Sequence, residues 1–129
     1  MSLEYEMAGE MFISPITGEN LILDNNKFVD SLQNSFPIID GVPRFITANP
    51  NAVSSFGDEW NYFNFTRHKD NWLKHVCKNT FGTSEPKDIF EKKIVIDAGA
   101  GSGAQSLWIA QSNASLVLSV ELSHSIDGV

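Results

Sequence analysis

Cysteine is nearly missing from this chain. Cys77 stands alone, which excludes an internal disulfide and any cysteine cluster for zinc, and fits a reducing compartment. Basic residues are scarce too: nine Lys and Arg face sixteen Asp and Glu, for a net charge of −7. The longest basic run is the pair Lys92 and Lys93, so a surface that tracks nucleic-acid phosphates is not expected. No stretch reaches the roughly 18 continuous apolar residues of a membrane-spanning helix. The N-terminal MSLEYEMAGE is acidic where a secretory signal would be basic. A cytoplasmic protein without a membrane partner is expected. His68, His75 and His124 share no ligand spacing with one another or with Cys77, since a helical metal pair needs i and i+4. All three read as surface residues, and Cys77 as a small buried hydrophobe.

What the chain does have is apolar content, 42% of 129 residues with 11% aromatic, enough to bury a core as one domain or two small ones. Its most informative stretch is Lys92 to Gly103, KKIVIDAGAGSG. Ile94, Val95 and Ile96 predict a short strand buried on both faces, as in a parallel sheet. Asp97 ends the run. Gly99, Gly101 and Gly103 then alternate with Ala98, Ala100 and Ser102, giving a tight turn on which a ligand can lie against the backbone. From Ser102 onward, Ala104, Leu107, Trp108 and Gln111 fall at helical spacing, so the loop opens into a helix whose free N–H groups point back at it. A second strand, Leu116 to Val120, stops on Glu121 and Leu122. Gly101 and Glu121 are twenty positions apart, the length one helix and a return strand need to bring a carboxylate beside the loop. A carboxylate there can accept both hydroxyls of a ribose.

The runs VIDAGAGSG and VLSVELS resemble the class I S-adenosylmethionine-dependent methyltransferases. In that family an apolar strand is followed by an acid and then G-x-G-x-G, and a second acid closes the next strand. The resemblance implies S-adenosyl-L-methionine as cofactor. Asp97 and the loop Ala98, Gly99, Ala100, Gly101 and Gly103 would meet its methionine part, with Glu121 and Leu122 at the ribose. A nicotinamide- or flavin-dinucleotide Rossmann unit competes, because Gly99, Gly101 and Ala104 also satisfy G-x-G-x-x-A with an acidic residue, Glu121, at the right distance. Asp97 separates the two: a pyrophosphate over this turn would be repelled by a carboxylate, whereas a methionyl ammonium would be attracted.

Residues 11–46 read as a small β-rich unit. Met11 to Ile13, Leu21 to Leu23, Lys27 to Val29 and Val42 to Ile46 are strand candidates, with turn chemistry at Pro15 to Gly18, Asp24 to Asn26 and Asp40-Gly41. FISPITGENLIL followed by FPIIDGVPRFI resembles the zinc-ribbon-like domain of the activator subunit of transfer-RNA methyltransferases. Its metal-binding form opens on a C-P-x-C knuckle, where this chain has Ser14 and Thr17, neither a usual zinc ligand. A metal-free cap packed by Phe36, Ile38, Ile39 and Phe45 is expected, docking on the catalytic domain of its own chain as the activator docks on its partner.

Asn49-Pro50 predicts a helix start, with Val53, Phe56, Trp60 and Phe63 on one face and Gly57 weakening it. SFGDEWNYF resembles the FG-x-x-W stretch that leads into the catalytic domain of bacterial methyltransferases carrying this small domain. Phe56 and Trp60 would either line the cofactor pocket or form the apolar face of a connecting helix. A further helix over Asp70 to Thr80, capped by Asp70, turns Trp72, Leu73, Val76 and Cys77 inward, and Thr83 to Lys87 reads as a polar linker.

The expected organisation is therefore α/β: a β-rich unit (1–48), a helical connector (49–92) and the start of a Rossmann-like methyltransferase fold (93–129). The alternatives are the dinucleotide enzyme and a non-catalytic activator or binding module. Since the sequence reaches only the second strand of such a fold, acceptor-contacting residues are not expected within it. An unpaired edge and one poorly covered face on the first strand would favour self-association or pairing with the rest of a methyltransferase domain.

Overall fold

The computed structural model describes residues 10–45 and 68–128, and the chain divides into two compact units, Met1–Thr47 and Ala48–Val129. The helix expected from Asn49-Pro50, with Val53, Phe56, Gly57, Trp60 and Phe63, lies outside the described residues.

In the first unit four strands, β1 (Ile22–Asp24), β2 (Lys27–Val29), β3 (Ser35–Ile39) and β4 (Val42–Pro43), form one antiparallel sheet in chain order. Turn chemistry sets its register. Asp40 and Gly41 join β3 to β4 with φ of 49° and 83°, the two left-handed residues of a type I′ turn. Leu23, Phe28 and Phe36 then lie opposite one another across three strands and share a face. Phe28 is fully buried, Phe36 and Ile38 nearly so, and Phe45 closes over them with ring centroids 5.5 Å from Phe36 and 5.2 Å from Phe12. Three expectations need correction. Met11 to Ile13 is not a strand, since only Ile13 pairs, through a single bridge to Asn20. Ser35–Ile39 is one, and its alternation exposes Ile39 while burying Phe36 and Ile38, because successive strand residues point to opposite faces. The last strand ends at Pro43, which has no N–H to offer the ladder.

The second unit is mixed α/β. Its first helix among the described residues, α1, is α-helical over Lys69–Trp72, π-helical over Leu73–Lys78 and α-helical again over Asn79–Phe81. The widened i→i+5 turn brings residues five apart to one side, so Trp72 and Cys77 are both buried while Leu73 and Val76 pack at the margin. Asp70 does not cap this helix; it sits in the first turn, after His68 at the N-cap. Nor are residues 83–87 only a linker. Pro86 opens a short helix, α2 (Pro86–Phe90), where its missing N–H costs nothing. Then come β5 (Ile94–Ala98), α3 (Ala104–Ala110), β6 (Leu116–Val120) and a 3₁₀ turn (His124–Gly128). β5 and β6 are parallel, with Ile94 opposite Leu116 and Ala98 opposite Val120.

One face of this two-stranded sheet carries Val95 and Val117 into a core built on Trp72, Cys77, Phe90, Trp108 and Ile109. Trp72 holds it together, 5.4 Å from Trp108 and 6.0 Å from Phe90 between ring centroids. The other face is not buried: Ile94 is 61% exposed, Ile96 66% and Val120 54%. The apolar run alone predicts cover on both sides and fails there; the poorly covered face expected of a sheet that stops at its second strand is the one observed. The helix expected after the glycine loop is present as α3. Trp108, Ile109 and Ser112 face inward, whereas Leu107 and Gln111 are exposed. Among the described residues, no helix is long and apolar enough to cross a membrane.

Candidate functional site

The site sits where β5 and β6 both end. The glycine loop after β5 turns across the end of β6: the Gly99 and Ala100 amides donate to the Val120 carbonyl at 2.7 and 3.1 Å, and the Gly103 amide to the Ala100 carbonyl at 3.0 Å. Gly99, Gly101 and Gly103 take φ of 78°, 57° and 77°, a region a side chain would strain. At Gly99 an added Cβ would meet nothing within 4 Å. Glycine is needed there for its conformation, and the backbone beside it is open. Ala100, Gly101 and Gly103 are buried; Ala98, Gly99 and Leu122 are exposed.

Glu121 is tied to this loop. The Gly101 amide donates to its Oε2 at 2.9 Å and the Ser123 amide to its Oε1 at 2.7 Å. Burial alone would raise its pKa, but the Ser123 and Gly101 amides, with further bonds from Ser123 and Leu122, hold it below the ordinary 4.5. Asp97 lies within β5 rather than beyond it, directly opposite Ser119 of β6. Its Oδ2 accepts from Ser106 Oγ at 2.7 Å, and Ser106 Oγ accepts from Ser119 Oγ at 2.7 Å. These serines were not singled out from the sequence. Laying LVLSV against IVIDA in parallel register, the one polar residue of each strand opposite the other, would have signalled the pair.

The residues that stand at the knuckle positions do something else. Ser14 is buried; its Oγ accepts from the Ile16 and Thr17 amides at 3.1 and 3.2 Å and donates to Asp30 Oδ2 at 2.7 Å. Asp30, also buried, accepts from the Leu32 and Asn34 amides at 3.0 and 2.9 Å and from Asn34 Nδ2. Burial opposes its charge, yet the bonds from Asn34, Ser14 and Leu32 lower its pKa. Two loops are thus clasped by a hydrogen-bonded carboxylate. Among the described residues no three His, Cys, Asp or Glu side chains stand together as a metal site would require, and Ser14 and Thr17 do not fit one. Asp30 went unnoticed in the sequence, although Asp followed by Asn four residues on, just past a strand, is an Asx-turn signal. His68, His75 and His124 are exposed, and Cys77 is fully buried, its thiol pKa raised by that burial.

Strand, glycine loop, helix and strand, with an acid at the end of each strand, define a parallel β–α–β unit with an open turn flanked by two carboxylates. No family model matches the chain, and neither a curated protein nor a solved structure matches it.

Proposed function

We propose that the second unit is the cofactor-binding start of a Rossmann-like methyltransferase fold and takes S-adenosyl-L-methionine at the glycine loop. The observation that carries this reading is the Glu121 carboxylate accepting the Gly101 amide at 2.9 Å. In a dinucleotide site that amide would face a pyrophosphate, and a carboxylate on it would repel the phosphate. S-adenosyl-L-methionine carries no phosphate to be repelled there. The residues fit such a cofactor: Glu121 places a carboxylate against the glycine loop, Asp97 supplies a carboxylate for an ammonium, and Gly99 leaves the backbone open between them. When bound, the cofactor supplies an electrophilic methyl on a sulfonium, for an oxygen, nitrogen or carbon nucleophile in line with the sulfur. The chain's own part is positioning. Glu121 fixes the nucleoside end, Asp97 holds the amino-acid end, and the glycine turn lets the backbone approach between the two anchors.

The exposed aliphatic face of Ile94, Ile96 and Val120 supports the partner reading as well: association with another copy of the chain through this sheet. Isothermal titration with S-adenosylhomocysteine and with NAD tests the cofactor assignment. Binding of the first and not the second is expected; binding of NAD alone would turn the reading to a dinucleotide enzyme, and binding of neither would leave the non-catalytic module.

A further inference from the structure

We infer that Ser106 and Ser119 are positioning residues for Asp97, acting on the amino-acid end of the ligand; this rests on the cofactor reading above. Three elements converge here. Asp97 on β5 and Ser119 on β6 are direct register partners, and they lie on the same face of the sheet as Val95 and Val117, which pack into the core. Ser106 comes from the first turn of α3 and is 6% exposed. Ser119 Oγ donates to Ser106 Oγ at 2.7 Å, and Ser106 Oγ donates to Asp97 Oδ2 at 2.7 Å.

The chain of hydroxyls has one direction. An ionised carboxylate only accepts, so Ser106 must spend its proton on Asp97 and receive its own bond from Ser119. Successive donors polarise one another. The arrangement is not explained by packing, since alanine at 106 would suit the neighbouring Trp108 and Ile109 without a hydroxyl to satisfy. Its effect is to fix Asp97 by Oδ2. Among the described residues no hydrogen bond engages Oδ1, which leaves that oxygen for a cationic donor. A carboxylate held by one oxygen costs less ordering when the ligand arrives.

The test compares two ligands on this chain and its variants: S-adenosylhomocysteine, which has the ammonium, and 5′-methylthioadenosine, which keeps the nucleoside and lacks it. Ser106→Ala should weaken S-adenosylhomocysteine by about tenfold and change 5′-methylthioadenosine by less than about twofold. It should add little in an Asp97→Asn background, and Ser106→Thr should restore affinity. Ser119→Ala, at the half-buried end, should act in the same direction more weakly and serves if Ser106→Ala fails to fold. Equal weakening of both ligands, no weakening of either, or full additivity with Asp97→Asn would overturn the positioning role while leaving the cofactor reading intact. If the unsubstituted chain binds neither ligand, the cofactor reading itself falls and the positioning role with it.

Discussion

The Gly101 amide donates to Glu121 Oε2 at 2.9 Å across twenty positions of chain, so the second acid of the motif organises the glycine loop. Glu121 therefore holds the loop, and on the proposed cofactor reading the same carboxylate would also face the ribose. Two charge-assisted hydrogen bonds to the ribose would contribute on the order of 2 to 4 kcal/mol. Glu121→Ala should weaken S-adenosylhomocysteine by at least about tenfold, measured calorimetrically. It should also speed amide hydrogen exchange at Gly101 and Ser123. An unchanged dissociation constant would remove Glu121 from the ribose.

Acid should release the same loop. The Glu121 pKa lies below its ordinary 4.5, so the folded state favours the ionised form. That stabilisation is complete above about pH 4.5 and is lost as pH falls through the lowered folded value. Amide resonances of Gly101 and Ser123 should move together in this acid window and stay constant from pH 5 to 7. A transition near neutrality would mean another group controls the loop.

In the first unit, Ser14→Ala removes a buried hydroxyl that serves Asp30, Ile16 and Thr17. The change should cost about 1 to 3 kcal/mol of that unit's stability, by leaving buried partners unpaired, read from chemical denaturation. Asp30→Asn should destabilise in the same direction. Because the Asp30 pKa is lowered from 3.8, its contribution is present above about pH 4 and disappears as pH falls through the folded value. Elemental analysis should find zinc well below one equivalent, and a chelator-resistant stoichiometric metal would show other ligands at work.

The bare face of the parallel sheet should make the chain associate. With Ile94 and Ile96 both more than half exposed, sedimentation velocity should show concentration-dependent self-association, and Ile96→Lys should shift the equilibrium towards monomer by tenfold or so. A chain that stays monomeric at all concentrations would show that this face is not used between copies.

Local chemistry made much of this protein readable in advance. The loop between β5 and β6 was legible because glycines at alternate positions after an apolar run have few other uses, and the twenty-residue spacing to Glu121 is set by helix and strand lengths alone. Asp40-Gly41 announced its hairpin, since few residue pairs accept two left-handed conformations in a row. Cys77, the most buried of the cysteine and histidine side chains, followed from composition.

What only the tertiary structure decided were properties of pairs and layers. The run Ile94 to Ile96 taken alone reads as buried on both faces; a poorly covered face was to be expected where the sheet has two strands, but which side chains occupy it is set by the packing of α3 and Trp72 on the other side. Leu107 and Trp108 are adjacent, and only the angle at which α3 meets the sheet sends one outward and the other into the core. The hydroxyl chain from Ser119 through Ser106 to Asp97, and the clasp between Ser14 and Asp30, join residues 9 to 16 positions apart. Sequence determines which groups exist and which turns they permit; the register of one strand against the next determines which of them come within 2.7 Å of one another.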